Sequence, residues 1–178
     1  MQPSACLVAA LLAALPLHAQ TSPVATPRPA DVESLDAILF ALYDVISGPA
    51  GSRDWDRFRS LFVPDARLIP TGRLDDGRWV PRTLSVDGYI DRAGPQFQRQ
   101  AFYEDELHRE VEQFGHIAHV FSTYASRRAP DAEPFSRGIN SIQVFWDGAR
   151  WWVVTIMWDA ERDGRTIPAT YLGGGPAR

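Results

Sequence analysis

The segment Ser136 to Asp159, SRGINSIQVFWDGARWWVVTIMWD, constrains the fold more than any other part of the chain. Two runs rich in Ile, Val, Phe and Trp flank Asp147-Gly148, a dipeptide suited to the positive φ angles of a tight hairpin turn. Each run is long enough for a full strand. A lone hairpin is at best marginally stable in water, so this one must belong to a larger sheet with another layer over it.

Upstream segments supply both. Asp31 to Ser47 places Leu35, Ile38, Leu39, Leu42 and Ile46 at helical spacing, with Tyr43 and Val45 alongside. Asp31 is suited to cap that helix, and Ser47-Gly48-Pro49 ends it. Asp54 opens a second, short helix whose Trp55, Phe58, Leu61 and Phe62 share a face, followed by a short strand from Arg67 to Pro70. Leu74 to Pro81 reads as a loop or small hairpin around Asp76-Gly77. Ser85 opens a third helix, which Pro95 is expected to limit or break. From Phe102 the period becomes two: Tyr103 to Phe114 and His116 to Arg128 are strands joined at Gly115. Helices followed by antiparallel strands predict an α+β architecture. Because sheets twist and curl, helices across one face leave a conical cavity at one end.

Ala5 to Leu17 is an uncharged apolar run too short to span a bilayer, and Leu17-His18-Ala19 offers a cleavage site before Gln20. The expected organisation is a signal peptide over 1–19, a Pro-rich linker over 20–30, one domain over 31–172 and a flexible tail over 173–178. The mature protein would be periplasmic or secreted, without a membrane segment. Cys6, the only cysteine, falls in the part removed, which excludes disulfides and thiolate chemistry afterwards. Asp and Glu number 22 against 18 basic residues, a formal charge of −4, and there is no basic block to hold nucleic acid.

Two motifs carry a resemblance. The Asp54 to Ala66 segment, D-W-D-x-F-x-x-L-F-x-x-D-A, and the late W-D-G-x-x-W-W-V-V at Trp146 to Val154 resemble the nuclear transport factor 2-like superfamily, its SnoaL-like branch above all. The likeness covers roughly residues 31 to 162 and implies a cystatin-like cone: a curled antiparallel sheet with helices on its concave face. Members include ketosteroid isomerases, polyketide cyclases, dehydratases and binding modules, and fold does not choose among them. The resemblance also implies a carboxylate base at the end of the first strand in the isomerases. The matching position here is Pro70, which cannot take a proton. Tyr43 lies near the helix-one tyrosine that serves those enzymes as an oxyanion donor.

Glu104, Glu106, His108, Glu110 and Glu112 share one strand parity, bracketed by Phe102 and Phe114. If that face is concave, His108 with Glu110 forms an acid–base pair; if it is solvated, Tyr103, Leu107 and Val111 face the helices instead. No metal or other cofactor is expected, because His108 with Glu110, or His116 with His119, supplies two ligands without a third. In the last hairpin, Asn140 and Trp158 fall near one another, and Trp152 reads as core. Tyr43, Trp55, Phe58, Asn140 and Trp158 are therefore the expected lining of a mainly apolar pocket. The expected role is binding of a small hydrophobic or aromatic molecule. The alternatives are a cofactor-free lyase, isomerase or hydratase using His108 and Glu110, and a homodimer formed through the outer sheet face, with Trp151 in an exposed apolar patch.

Overall fold

A computed structural model describes residues 25–173 of the 178-residue chain; the expected signal segment, the start of the linker and the last five residues lie outside them. Three helices, α1 (Leu35–Ile46), α2 (Trp55–Ser60) and α3 (Val86–Arg99), cover one face of a curled sheet. Its strands are β1 (Phe62–Arg73), β2 (Trp79–Pro81), β3 (Tyr103–Phe114), β4 (Ile117–Arg127), β5 (Ser136–Trp146) and β6 (Trp151–Ala160), arranged in the order β2-β1-β6-β5-β4-β3. All neighbours are antiparallel except β1 and β6, so the α+β sheet has one parallel junction that the sequence reading did not anticipate. β1 also begins at Phe62, five residues earlier than the short strand expected from Arg67.

Turn and cap residues act largely as the sequence suggests. The Asp147 carboxylate accepts from the Ala149 and Arg150 amides, and Gly148 adopts φ +104°. Asp54 accepts from Arg57 N at 2.9 Å and Ser85 from Gly88 N at 3.0 Å, each a side-chain N-cap. At α1 the cap is Ser34 rather than Asp31: its hydroxyl accepts from Ala37 N at 3.0 Å. Asp31 instead sits in a short 3-10 turn, where it forms a two-bonded ion pair with Arg57 at 2.7 and 2.8 Å. Arg57 also reaches Asp44 on α1, so one guanidinium ties α2 to both segments before it. Pro95 does not break α3. It removes one backbone hydrogen bond, but Phe97 beyond it is buried, stacked on Trp55 and tilted against Phe102 at 4.9 Å, and this packing holds the final turn.

Two β-bulges decide which side chains face the helices. Between Glu106 and His108 the β3–β4 register shifts by one residue, leaving Leu107 unpaired. Glu104 and Glu106 therefore face inward, while His108, Glu110 and Glu112 face outward; the five do not share a face. Arg109 and Val111 take over the inward positions, opposite Ser122 and Val120. A second bulge leaves Val154 unpaired on β6. It turns Trp151, at 7 % exposure, into the core beside Val153, so Trp151 is not part of an exposed patch. Trp152 faces outward rather than into the core: its indole donates to Asp147 and the Arg150 guanidinium stacks over it at 3.6 Å.

Gly138 allows another close approach. A Cβ there would lie 2.3 Å from the Asp159 carbonyl oxygen and 2.5 Å from the Tyr124 hydroxyl. Gly138→Ala is therefore expected to lower stability by about 1–3 kcal/mol, since a buried clash must be relieved by moving backbone. Urea unfolding checks this, and an unchanged midpoint would show that the strand has room to give. Asp31→Ala, which leaves half-buried Arg57 with Asp44 alone, is expected to cost about 3 kcal/mol by the same measurement.

Candidate functional site

Between α1, α3 and the inner sheet face lies a cavity of about 250 Å³. The sheet contributes rows of side chains in register. Asn140 lies opposite Ser122 on one side and Trp158 on the other; one row along, Tyr124 lies opposite Glu106 and Gly138; next come Glu104, Ser126 and Ser136. Helices close the other side with Leu42, Tyr43 and Ile46 from α1 and Tyr89 from α3. Aromatic rings dominate the wall, and Glu104 is its one carboxylate among the described residues.

The Tyr43 hydroxyl is fully committed to the fold. Asn140 Nδ2 donates to it at 3.1 Å. Ser122 Oγ donates its only proton to Glu106 Oε1 at 2.5 Å, so Tyr43 must donate in turn to Ser122 Oγ, 2.6 Å away. That leaves Tyr43 no proton to offer a ligand, unlike the oxyanion-donating role the resemblance suggests. Burial raises the pKa of the Tyr43 phenol, as it does for Tyr89 and Tyr124, where the Glu104 charge adds to the effect. Tyr89 is different in one respect: its hydroxyl has no hydrogen-bond partner among the described residues.

Glu104 is the chemically distinctive group. It retains some surface because it forms part of the cavity wall, yet its carboxyl is surrounded by protein. Burial pushes its pKa up to about 7; the 2.7 Å bond from Ser126 Oγ opposes that rise and the nearby Asp105 adds to it. A carboxyl titrating near neutrality inside an apolar cavity can hold a proton, release one, or anchor a positive charge.

The structure brings Tyr43, Phe58, Asn140 and Trp158 together at the cavity. Trp55 stands behind that wall, packed edge-on against Phe58 at 5.7 Å. His108 and Glu110 are hydrogen-bonded to each other at 3.1 Å, but on the opposite side of the sheet and outside the cavity. There they lie beside the C-terminal turn, where Thr123 donates to Tyr171 O and Gly173 approaches His108. Pro70 pairs with Trp158, so a proline stands where the resemblance places a base. From the sequence, Glu104 stands only as one of five residues of one parity, and Ser126, Tyr89 and Tyr124 carry no expected role at the site. The available signal was parity: inward Phe102 and inward Val111 differ by an odd number, which requires an extra residue between them. Among the described residues no group of three or more His, Cys, Asp or Glu is placed to hold a metal ion.

Comparison with known proteins reaches the fold and stops there. No family profile matches the chain, and no curated protein matches it either. Among solved structures, a cystatin-like protein of unknown function from Nostoc punctiforme aligns with TM-score 0.55 at 9% identity, covering 72% of this chain and 90% of that one. Nuclear transport factor 2-like proteins of unknown function from Silicibacter pomeroyi and Methylobacillus flagellatus align at 14% and 12% identity. Both cover 72% of this chain, and 94% and 95% of their own, with TM-scores of 0.47 and 0.48. The chain has the cystatin-like fold.

Two expectations follow from the site. Tyr43→Phe strands the Asn140 amide and should cost about 1–3 kcal/mol, read by thermal or urea unfolding. Glu104 binds its proton more tightly folded than unfolded, where the value is near 4.5. The folded protein therefore loses stability as pH rises from about 4.5 to 7, on the order of 3 kcal/mol in all. Glu104→Gln should match the wild type at pH 4 and be the more stable protein at pH 8. Equal stability at pH 8 would mean that the carboxyl is well solvated.

Proposed function

We propose that the protein binds a compact, largely apolar small molecule in the cavity between α1, α3 and the inner face of the sheet. The observation that carries this reading is the wall itself. Six or more aromatic rings converge there with one amide, several hydroxyls and one carboxyl, the composition expected of a pocket that holds and orients an organic ligand. At about 250 Å³ the space is smaller than the roughly 300–1,000 Å³ of drug-sized sites, which limits the ligand to about one ring with a short substituent.

A second reading, a cofactor-free lyase, isomerase or hydratase, rests on Glu104 rather than on His108 and Glu110. A carboxyl with a pKa of about 7, in the same cavity wall as the Tyr89 hydroxyl, is poised for proton transfer at neutral pH. It would show as turnover with a rate that changes near pH 7 and disappears in Glu104→Gln. Export also belongs to the proposal. It is supported by the Ala5 to Leu17 run alone, and N-terminal sequencing of the protein recovered outside the cytoplasm should begin at Gln20.

The binding reading is tested by titrating the protein with compact aromatic alcohols, amines and acids while following tryptophan fluorescence, which Trp158 reports from the cavity wall. Ile156→Trp, which fills the cavity from the β6 side, is expected to abolish the response. Undiminished binding in that variant would place the ligand elsewhere.

A further inference from the structure

Two carboxylates point from β3 toward the helices, and they are treated differently. Glu106 faces the Arg109 guanidinium at 3.2 Å, and Arg109 also pairs with Asp36 on α1. Glu104 has no cation within ion-pair distance among the described residues; its side-chain partner is the neutral Ser126 hydroxyl. The arginines at the end of β4, beside Tyr103, are spent elsewhere. Arg127 binds Asp105 at 2.5 Å, while Arg128 stacks on Phe135, a ring of the cavity wall, and donates to Ala101 O. Among the described residues, no arginine or histidine lines the cavity. The titratable groups facing Glu104 are Tyr43 from α1, Tyr89 from α3, Tyr124 from β4 and Asp105 on its own strand, none of which brings a positive charge.

A buried carboxylate without a counter-charge is costly, and a ligand can supply what the protein withholds. The surrounding rings suit the same ligand. Tyr89, Phe102, Tyr124 and Trp158 line the same cavity as Glu104, and the negative faces of such rings attract an ammonium group, most strongly when it is desolvated. The unpartnered Tyr89 hydroxyl can accept one further N–H. We propose that the cavity selects an organic cation, a small amine carrying one apolar or aromatic ring, with its ammonium group paired to Glu104. This rests on the reading of the cavity as a ligand site and names the class of ligand.

The pairing has a proton balance. Near pH 7 the empty site holds a proton on Glu104 part of the time, and the arriving ammonium displaces that proton to solvent. Affinity for the cation should rise with pH through about 7 for as long as the amine stays protonated.

The test uses calorimetric titration with three probes of matched size: phenethylamine, 2-phenylethanol and phenylacetate. At pH 8 the amine should bind about tenfold or more tighter than the alcohol, and phenylacetate weakest of all. The amine's advantage should shrink at pH 5.5, and proton release should appear near pH 7 when buffers of different ionisation enthalpy are compared. Glu104→Gln should lose the preference for the amine while still binding 2-phenylethanol, which also shows that the variant is folded. If the alcohol matches the amine in the wild type, or if Glu104→Gln keeps the preference, the cation proposal is overturned and the binding pocket stands. If none of the three binds, both readings fall.

Discussion

The hydroxyl of Tyr43 joins α1 to three strands at once. It receives a proton from Asn140 on β5, gives its own to Ser122 on β4, and through that serine reaches Glu106 on β3. Tyr43, Asn140 and Ser122 are polar and buried, so each needs a partner, and among the described residues their side chains have none outside this chain of bonds. The helix cannot slide or rotate over the sheet without stranding several of them together. The chain thus fixes the height of its helical roof with a polar lock, and the apolar side chains of α1 pack around it. Below that lock the cavity keeps its shape because Tyr124 lies across Gly138, where any side chain would collide with β6.

The same interior carries a group that works against stability. Glu104 would be better solvated almost anywhere else, and the fold gives it one hydroxyl where its neighbour Glu106 receives a guanidinium. Both residues leave the same strand within three positions, so the difference is one of surroundings. A cost of this kind, placed at a cavity wall among aromatic rings, is how binding sites commonly differ from the structural interior around them.

Much of the architecture was legible from short-range chemistry. The Asp147-Gly148 turn, the Gly115 turn, and the caps Asp54 and Ser85 each have a local mechanism, and each stands where expected. The two bulges were not legible in that way. An extra residue in a strand leaves no mark on composition, yet it reverses the parity of everything beyond it. That reversal put Trp151 inside and Trp152 outside, and it moved His108 and Glu110 away from the cavity while leaving Glu104 in it. Asp31 was misread for another reason: its partner Arg57 is 26 residues away, and a long-range ion pair outcompeted a local cap. Pro95 stayed within a helix because tertiary packing of Phe97 outweighed a local preference. Asn140 and Trp158, by contrast, lie on the stretch of hairpin between its open end and the bulge, where simple alternation still holds.

β3 is the last strand of the sheet, with β4 as its single full-length neighbour. Its free rim is dense in charge, which discourages other strands from adding to it. Where Glu104 sits, the α1–α2 connection takes the place of a further strand: Gly48 and Phe102 exchange two backbone hydrogen bonds, and Ser47 Oγ accepts from Glu104 N and donates to Glu104 O. The backbone beside the cavity's carboxyl is thus spent on the helix connection, and no ladder is left there for a further strand to extend.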